Sequence, residues 1–100
     1  MEPIGVLHLI DALEAGGAER VALNLVNLLP RDRYAAYLCT TRKEGPLSSL
    51  VETDVSWLKL HRKRHADLKA LACLVRFIRK NKIRIIHAHS TSLFIAAEVK

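Results

Sequence analysis

The segment IGVLHLI (Ile4 to Ile10) constrains the fold more than any other part of the chain. It is a continuous apolar run without strict polar-apolar alternation, the pattern of a strand covered on both faces, and such strands belong to parallel sheets. A parallel strand reaches its neighbour only through a crossover, so a helix-length segment must follow. From Ala18 the apolar positions do change to helical spacing: Val21, Ala22, Leu25, Leu28 and Leu29 make one stripe, while Glu19, Arg20, Asn24 and Asn27 face elsewhere. Pro30 stops that helix.

The alternation continues. YAAYLCTT (Tyr34 to Thr41) reads as a second strand, followed by a turn at Gly45-Pro46 and a short helix, LSSLVE. DVSWLKL reads as a third strand, with Val55 and Trp57 on one face and Leu58 on the other. A long helix is expected over about Ala66 to Lys82, with a core stripe of Leu68, Leu71, Ala72, Val75 and Ile78 that leaves Leu74 and Phe77 outside. IRIIHAH (Ile83 to His89) is the fourth strand, and TSLFIAAEVK opens another helix, capped at Ser90 or Thr91. The order predicts an α/β fold: a Rossmann-like parallel sheet of about four strands with helices on both faces. The final apolar helical pattern has no strand to return to. Residues 1–100 are therefore expected to be the partial N-terminal part of a longer protein, the alternative being a small domain closed by a docked helix.

Charge narrows the partners. Sixteen Lys and Arg stand against ten Asp and Glu, a formal charge of +6 that favours anionic partners without choosing among them. Cys39 and Cys73 stand in no metal-ligand spacing and read as ordinary buried thiols of a reducing compartment. The N-terminus has no basic segment leading into a long apolar core, and no run reaches the roughly 18 apolar residues that cross a bilayer. The expected location is cytoplasmic, at most peripheral on the inner face of the membrane.

Gly16-Gly17 falls where the first strand hands over to the first helix. Ligands of open α/β sheets gather at the C-terminal ends of the strands, where the strand order reverses. Backbone N–H groups at such a helix start suit a phosphate. A strand-to-helix turn without a ligand explains the pair equally well. Two phosphate loops are excluded: G-x-G-x-x-G is absent from AGGAER, and no G-x-x-x-x-G-K-[ST] occurs. No acidic residue follows the second strand in a position to hold a ribose, because YLCTTRKEG turns to Thr and Arg first, which argues against a nucleotide-dependent oxidoreductase.

Taken together, HLIDALEAGGAERVALNL, GPLSSLVE and IRIIHAHSTS resemble the N-terminal domain of the family 4 retaining glycosyltransferases, which have the GT-B fold. The resemblance runs in order over essentially the whole chain. It implies a two-domain, hexosyltransferase-like enzyme of glycan or polysaccharide assembly. The N-terminal half would bind a glycan or lipid-linked acceptor, and a C-terminal half absent from this chain would bind a nucleotide-sugar donor. It also implies retention at the anomeric carbon, no cofactor and no essential metal. Gly16 and Gly17 would lie against the donor diphosphate and acceptor. The catalytic Thr-x-His histidine and the Glu-x7-Glu motif of the family lie beyond residue 100, so this chain by itself is expected to be inactive.

Other residues carry weaker expectations. His89, at the end of the fourth strand, is expected at the cleft, against acceptor or sugar hydroxyls; His87 and His8 read as hydrogen-bonded core histidines. His87 and His89 share a face, but chain spacing supplies no third ligand, so no metal is expected. Glu19 suits the positive end of the first helix and could also touch an acceptor hydroxyl, while Arg20 reads as solvated. Basic residues concentrate from HRKRH (His61 to His65) through Arg76, Arg79, Lys80, Lys82 and Arg84. With Phe77 read as exposed beside Arg76 and Lys80, an anionic membrane surface is the expected further partner. The aromatics do not interleave with the cations as a stacking platform would, so nucleic acid is not expected. The competing functions are an anion- or nucleic-acid-binding α/β module and a non-catalytic scaffold.

Overall fold

The computed structural model describes residues 2–13, 17–61, 63 and 67–89. Four strands, β1 (Ile4–Ile10), β2 (Tyr34–Thr40), β3 (Ser56–Lys59) and β4 (Ile83–Ala88), form one parallel sheet in the order β3-β2-β1-β4. Helix α1 (Gly17–Leu28) joins β1 to β2, a short 3-10 helix (Pro46–Leu50) joins β2 to β3, and helix α2 (Leu68–Lys80) joins β3 to β4. The expected Rossmann-like α/β class is observed. The helix read into TSLFIAAEVK lies outside the described residues.

Strand order explains the two layers. The steps from β1 to β2 and from β2 to β3 move one way along the sheet, and the step from β3 to β4 doubles back past β1. Crossovers of one hand then place their connections on opposite faces. Side-chain parity agrees. Ile10, Ala36 and Leu38 pack with Ala22, Leu23 and Val26 of α1 and Leu47 of the 3-10 helix, whereas Leu7, Leu9 and Cys39 pack with Leu74 of α2. Val55 and Trp57 join the first cluster and Leu58 the second, as read. β1 is buried from Gly5 to Ile10, and each fully buried leucine contributes roughly 1.5–3 kcal/mol.

Helix ends follow local chemistry. Asp67 caps α2, its carboxylate accepting from the Ala70 N–H at 3.1 Å, which starts the helix just after the expected Ala66. Lys82, at φ 52°, turns the chain into β4. At the other helix, Arg31 donates to the carbonyls of Val26 (3.1 Å) and Leu29 (2.7 Å) and pairs with Asp54 at 2.8 Å. That hydrogen-bonded pair holds the Asp54 carboxyl below its ordinary range.

Both helices are rotated from their expected stripes. On α1, Ala22, Leu23 and Val26 are buried, while Val21, Leu25 and Leu28 are exposed, Leu28 at 78%. The reason is two adjacent apolar rows at helical spacing, 21/25/28 and 22/26/29; only the second meets the sheet. On α2, Leu71 and Ile78 do pack on the core, but Leu74 is fully buried and Leu68 is 76% exposed. Phe77 is not an exposed membrane anchor: it packs on that core edge-on to the Tyr37 ring, with centroids 5.7 Å apart. The outward row of α2 is instead Leu68, Ala72 and Val75, beside Arg76, Arg79 and Lys80. Cys39 is buried as expected, and burial pushes its thiol pKa up, but Cys73 is exposed.

Candidate functional site

The sheet order puts its reversal between β1 and β4, so the C-terminal ends of these two strands border the crevice where such sheets bind ligands. Two parts of the chain meet that border: the exit of β1 at residues 11–13, and His89 just beyond β4.

The first part is firmly anchored. Thr41 N–H donates to the Ile10 carbonyl (2.9 Å), and Arg42 (2.9 Å) and Lys43 (3.2 Å) N–H groups donate to that of Asp11. The Thr41 hydroxyl donates to the Asp11 carboxylate. Leu13, wholly buried, donates its N–H to Glu44 and accepts from Leu47. The exit of β1 is thus fixed against the exit of β2, and α1 begins at Gly17. Gly16 lies outside the described residues.

Gly17 is informative beside the other glycines. A Cβ added at Gly5 would meet the Ile83 Cα at 3.1 Å, and Gly45 has φ 84°, so the fold itself asks for glycine at both. Gly17 is exposed, and among the described residues a Cβ there would meet nothing within 4 Å. Among the described residues, nothing crowds the first position of α1 so as to require a glycine there. Glu19 lies in the first turn of α1, half-buried, and Arg20 is exposed.

The second part is a histidine cluster that chain spacing did not reveal. His8 of β1 pairs in register with His87 of β4, and His89 follows two residues on, so all three rings project from the same face. The pairing continues one residue beyond β4, through the His89 N–H to the Leu9 carbonyl at 2.8 Å. His8 Nδ1 and His89 Nε2 share a hydrogen bond of 3.1 Å, and the His87 and His89 rings stack with centroids 4.2 Å apart. His8 is a buried, hydrogen-bonded histidine, as read. His87, read as a core histidine, is exposed: it stands on the outer strand of the described sheet, and the buried partner of His8 is His89.

Burial makes His8 a weak base. Its pKa is lowered to about 4, first by desolvation and then by the neighbouring rings of His89 and His87. Desolvation and His87 also lower His89. At neutral pH this pair is uncharged, one ring donating and the other accepting. The two buried rings thus form a neutral polar pair beside a strand end, with the exposed His87 stacked on His89. The one sequence signal for His8 was that IGVLH and IRIIH each place histidine fifth, which means something only once the two runs are known to pair.

Among the described residues, no helix is long and apolar enough to cross a membrane. No curated protein and no solved structure matches the chain significantly. The family model Glycosyltransferase Family 4 matches residues 15–99, from the glycine pair through the end of β4 and beyond. With its parallel α/β sheet, which forms part of the GT-B fold, this chain belongs to glycosyltransferase family 4.

Proposed function

We propose that the chain is the acceptor-side portion of a retaining glycosyltransferase, which moves a sugar from a nucleotide-sugar donor to a glycan or lipid-linked acceptor. Membership of the family makes it a transferase domain with a sugar donor and an acceptor as partners. The observation that carries the finer reading is Gly17: a glycine at the first residue of α1, the helix that follows β1, that nothing among the described residues crowds. A bulky ligand approaching that backbone would need it. Gly16 completes the pair in the same reading. Helix N–H groups there would stabilise the negative charge that develops on a departing diphosphate. In the same reading Glu19, in the first turn of α1, and His89, just beyond β4, would meet acceptor or sugar hydroxyls.

A second domain, reached through a longer chain, would hold the donor; the exposed Ile85 (46%) and Ile86 (36%) of β4 are consistent with further structure continuing the sheet. The test is turnover by the full-length protein. Release of nucleoside diphosphate from a nucleotide sugar, with the transferred sugar keeping its anomeric configuration, is expected. An inverted product, or no donor turnover across common nucleotide sugars and acceptors, contradicts the reading.

Placement in the cytoplasm, peripheral to the inner membrane face, belongs to the same proposal, but on a different surface from Phe77. The outward Leu68, Ala72 and Val75 row of α2, with Arg76, Arg79 and Lys80 beside it, has the apolar and cationic strips that an anionic bilayer surface attracts.

A further inference from the structure

We propose that His8, His87 and His89 form a binding site for a divalent transition metal of the zinc class. Each ring offers one nitrogen, and the three ligand atoms lie within 4.8 Å of one another. The His8 and His89 nitrogens are already 3.1 Å apart. Two imidazoles bound at about 2.0–2.1 Å to a tetrahedral ion stand about 3.3 Å apart, so the spacing of this pair already fits and the rings need only turn toward a shared point.

The third ligand is the adjustable one. His87 is exposed and its ring lies stacked on His89, so it has room to turn its nitrogen toward the ion. Binding replaces the His8–His89 hydrogen bond: the donating ring moves its proton to its other nitrogen, and both lone pairs then face the metal. No atom is oxidised or reduced. Backbone pairing fixes two of the ligand positions, because His8 and His87 are register partners on adjacent strands. Three histidines leave one tetrahedral position for water or another oxygen ligand, as in open zinc sites. Imidazole donors suit zinc, nickel and copper rather than magnesium or calcium.

The site does not depend on the proposed sugar transfer, but it shares His89 with it, and a bound ion would occupy the His89 nitrogen; the test therefore reads metal binding and not turnover. The competing location is the mouth of α2, where His61, Asp67 and Cys73 line one hollow. The intact chain is titrated with Zn2+ against a chromophoric chelator. One equivalent is expected to bind, and His87→Ala is expected to weaken binding by more than about 100-fold, beyond what loss of an outer partner costs. The double variant His61→Ala/Cys73→Ser should bind within about threefold of the parent. Cobalt substitution of the parent chain gives a second reading that needs no variant: visible bands without thiolate charge transfer support the three histidines. Absence of saturable binding, an unchanged affinity in His87→Ala, loss in the double variant, or a thiolate band overturns the proposal.

Discussion

The two seams that flank β1 differ in almost every respect. Toward β2, the pairing runs in unbroken register from Ile4–Tyr34 to Ile10–Thr40, and Leu38 and Cys39 of the partner strand are wholly buried. Toward β4, the register shifts between Gly5 and Val6, the residues opposite include the exposed Ile85 and Ile86 after a buried Ile83, and three histidine rings gather near the strand ends. One seam holds the domain together. The other sits at the reversal of strand order and carries the histidine cluster, at the place proposed for a ligand. Closed packing thus lies on one side of the strand and the proposed site on the other.

The largest effect that sharpens this contrast is on stability. Leu38→Ala is expected to cost about 2–5 kcal/mol, because the removed side chain leaves a cavity in a closed core. Ile85→Thr, on the exposed side of β4, should cost less than about 1 kcal/mol. Urea denaturation of both variants measures this, and equal losses would erase the distinction between the seams.

A smaller effect comes from pH. His8 has its folded pKa lowered to about 4 from 6.5, so below pH 6.5 the unfolded chain takes up a proton that the folded chain refuses. Its contribution is complete above pH 6.5 and is lost as pH falls toward 4, by up to about 3 kcal/mol. Chelator-treated protein should therefore melt progressively lower across that window, and the slope should flatten in His8→Gln. A slope identical in the variant assigns the titration to another group.

The smallest effect lies away from both seams. If α2 meets an anionic bilayer, each cation removed from Arg76, Arg79 or Lys80 should cost about 1 kcal/mol, roughly fivefold in vesicle partitioning. Co-sedimentation of the full-length protein with anionic and neutral vesicles checks it. Equal pelleting with both, unaffected by Arg76→Glu/Arg79→Glu, rules out the electrostatic contact.

The strands and their order of appearance were legible because a continuous run such as Ile4 to Ile10 fits few alternatives. The helix faces were not. α1 carries two apolar rows side by side, and spacing alone cannot say which one the sheet will choose. On α2 the basic residues drew Phe77 to the solvent side, whereas Tyr37 on the sheet offers its ring a partner. The site was half legible for a related reason. Gly17 and His89 mark strand exits that a crossover pattern predicts, but His8 joins His89 only through a strand pairing that spans most of the chain. Linear spacing carries no trace of such a contact.

The central claim is that Gly17 is a glycine for a ligand and not for the fold. Gly17→Val in the full-length protein tests it, with nucleotide-sugar turnover and thermal unfolding measured on the same sample. Among the described residues a Cβ at this position meets nothing within 4 Å, and valine replaces a weaker helix former, so the melting temperature should hold or rise slightly. Turnover should fall by about 100-fold or more, the scale of loss that follows a reacting group displaced by about 1 Å. Turnover at the parent's level in a correctly folded Gly17→Val variant would contradict the account.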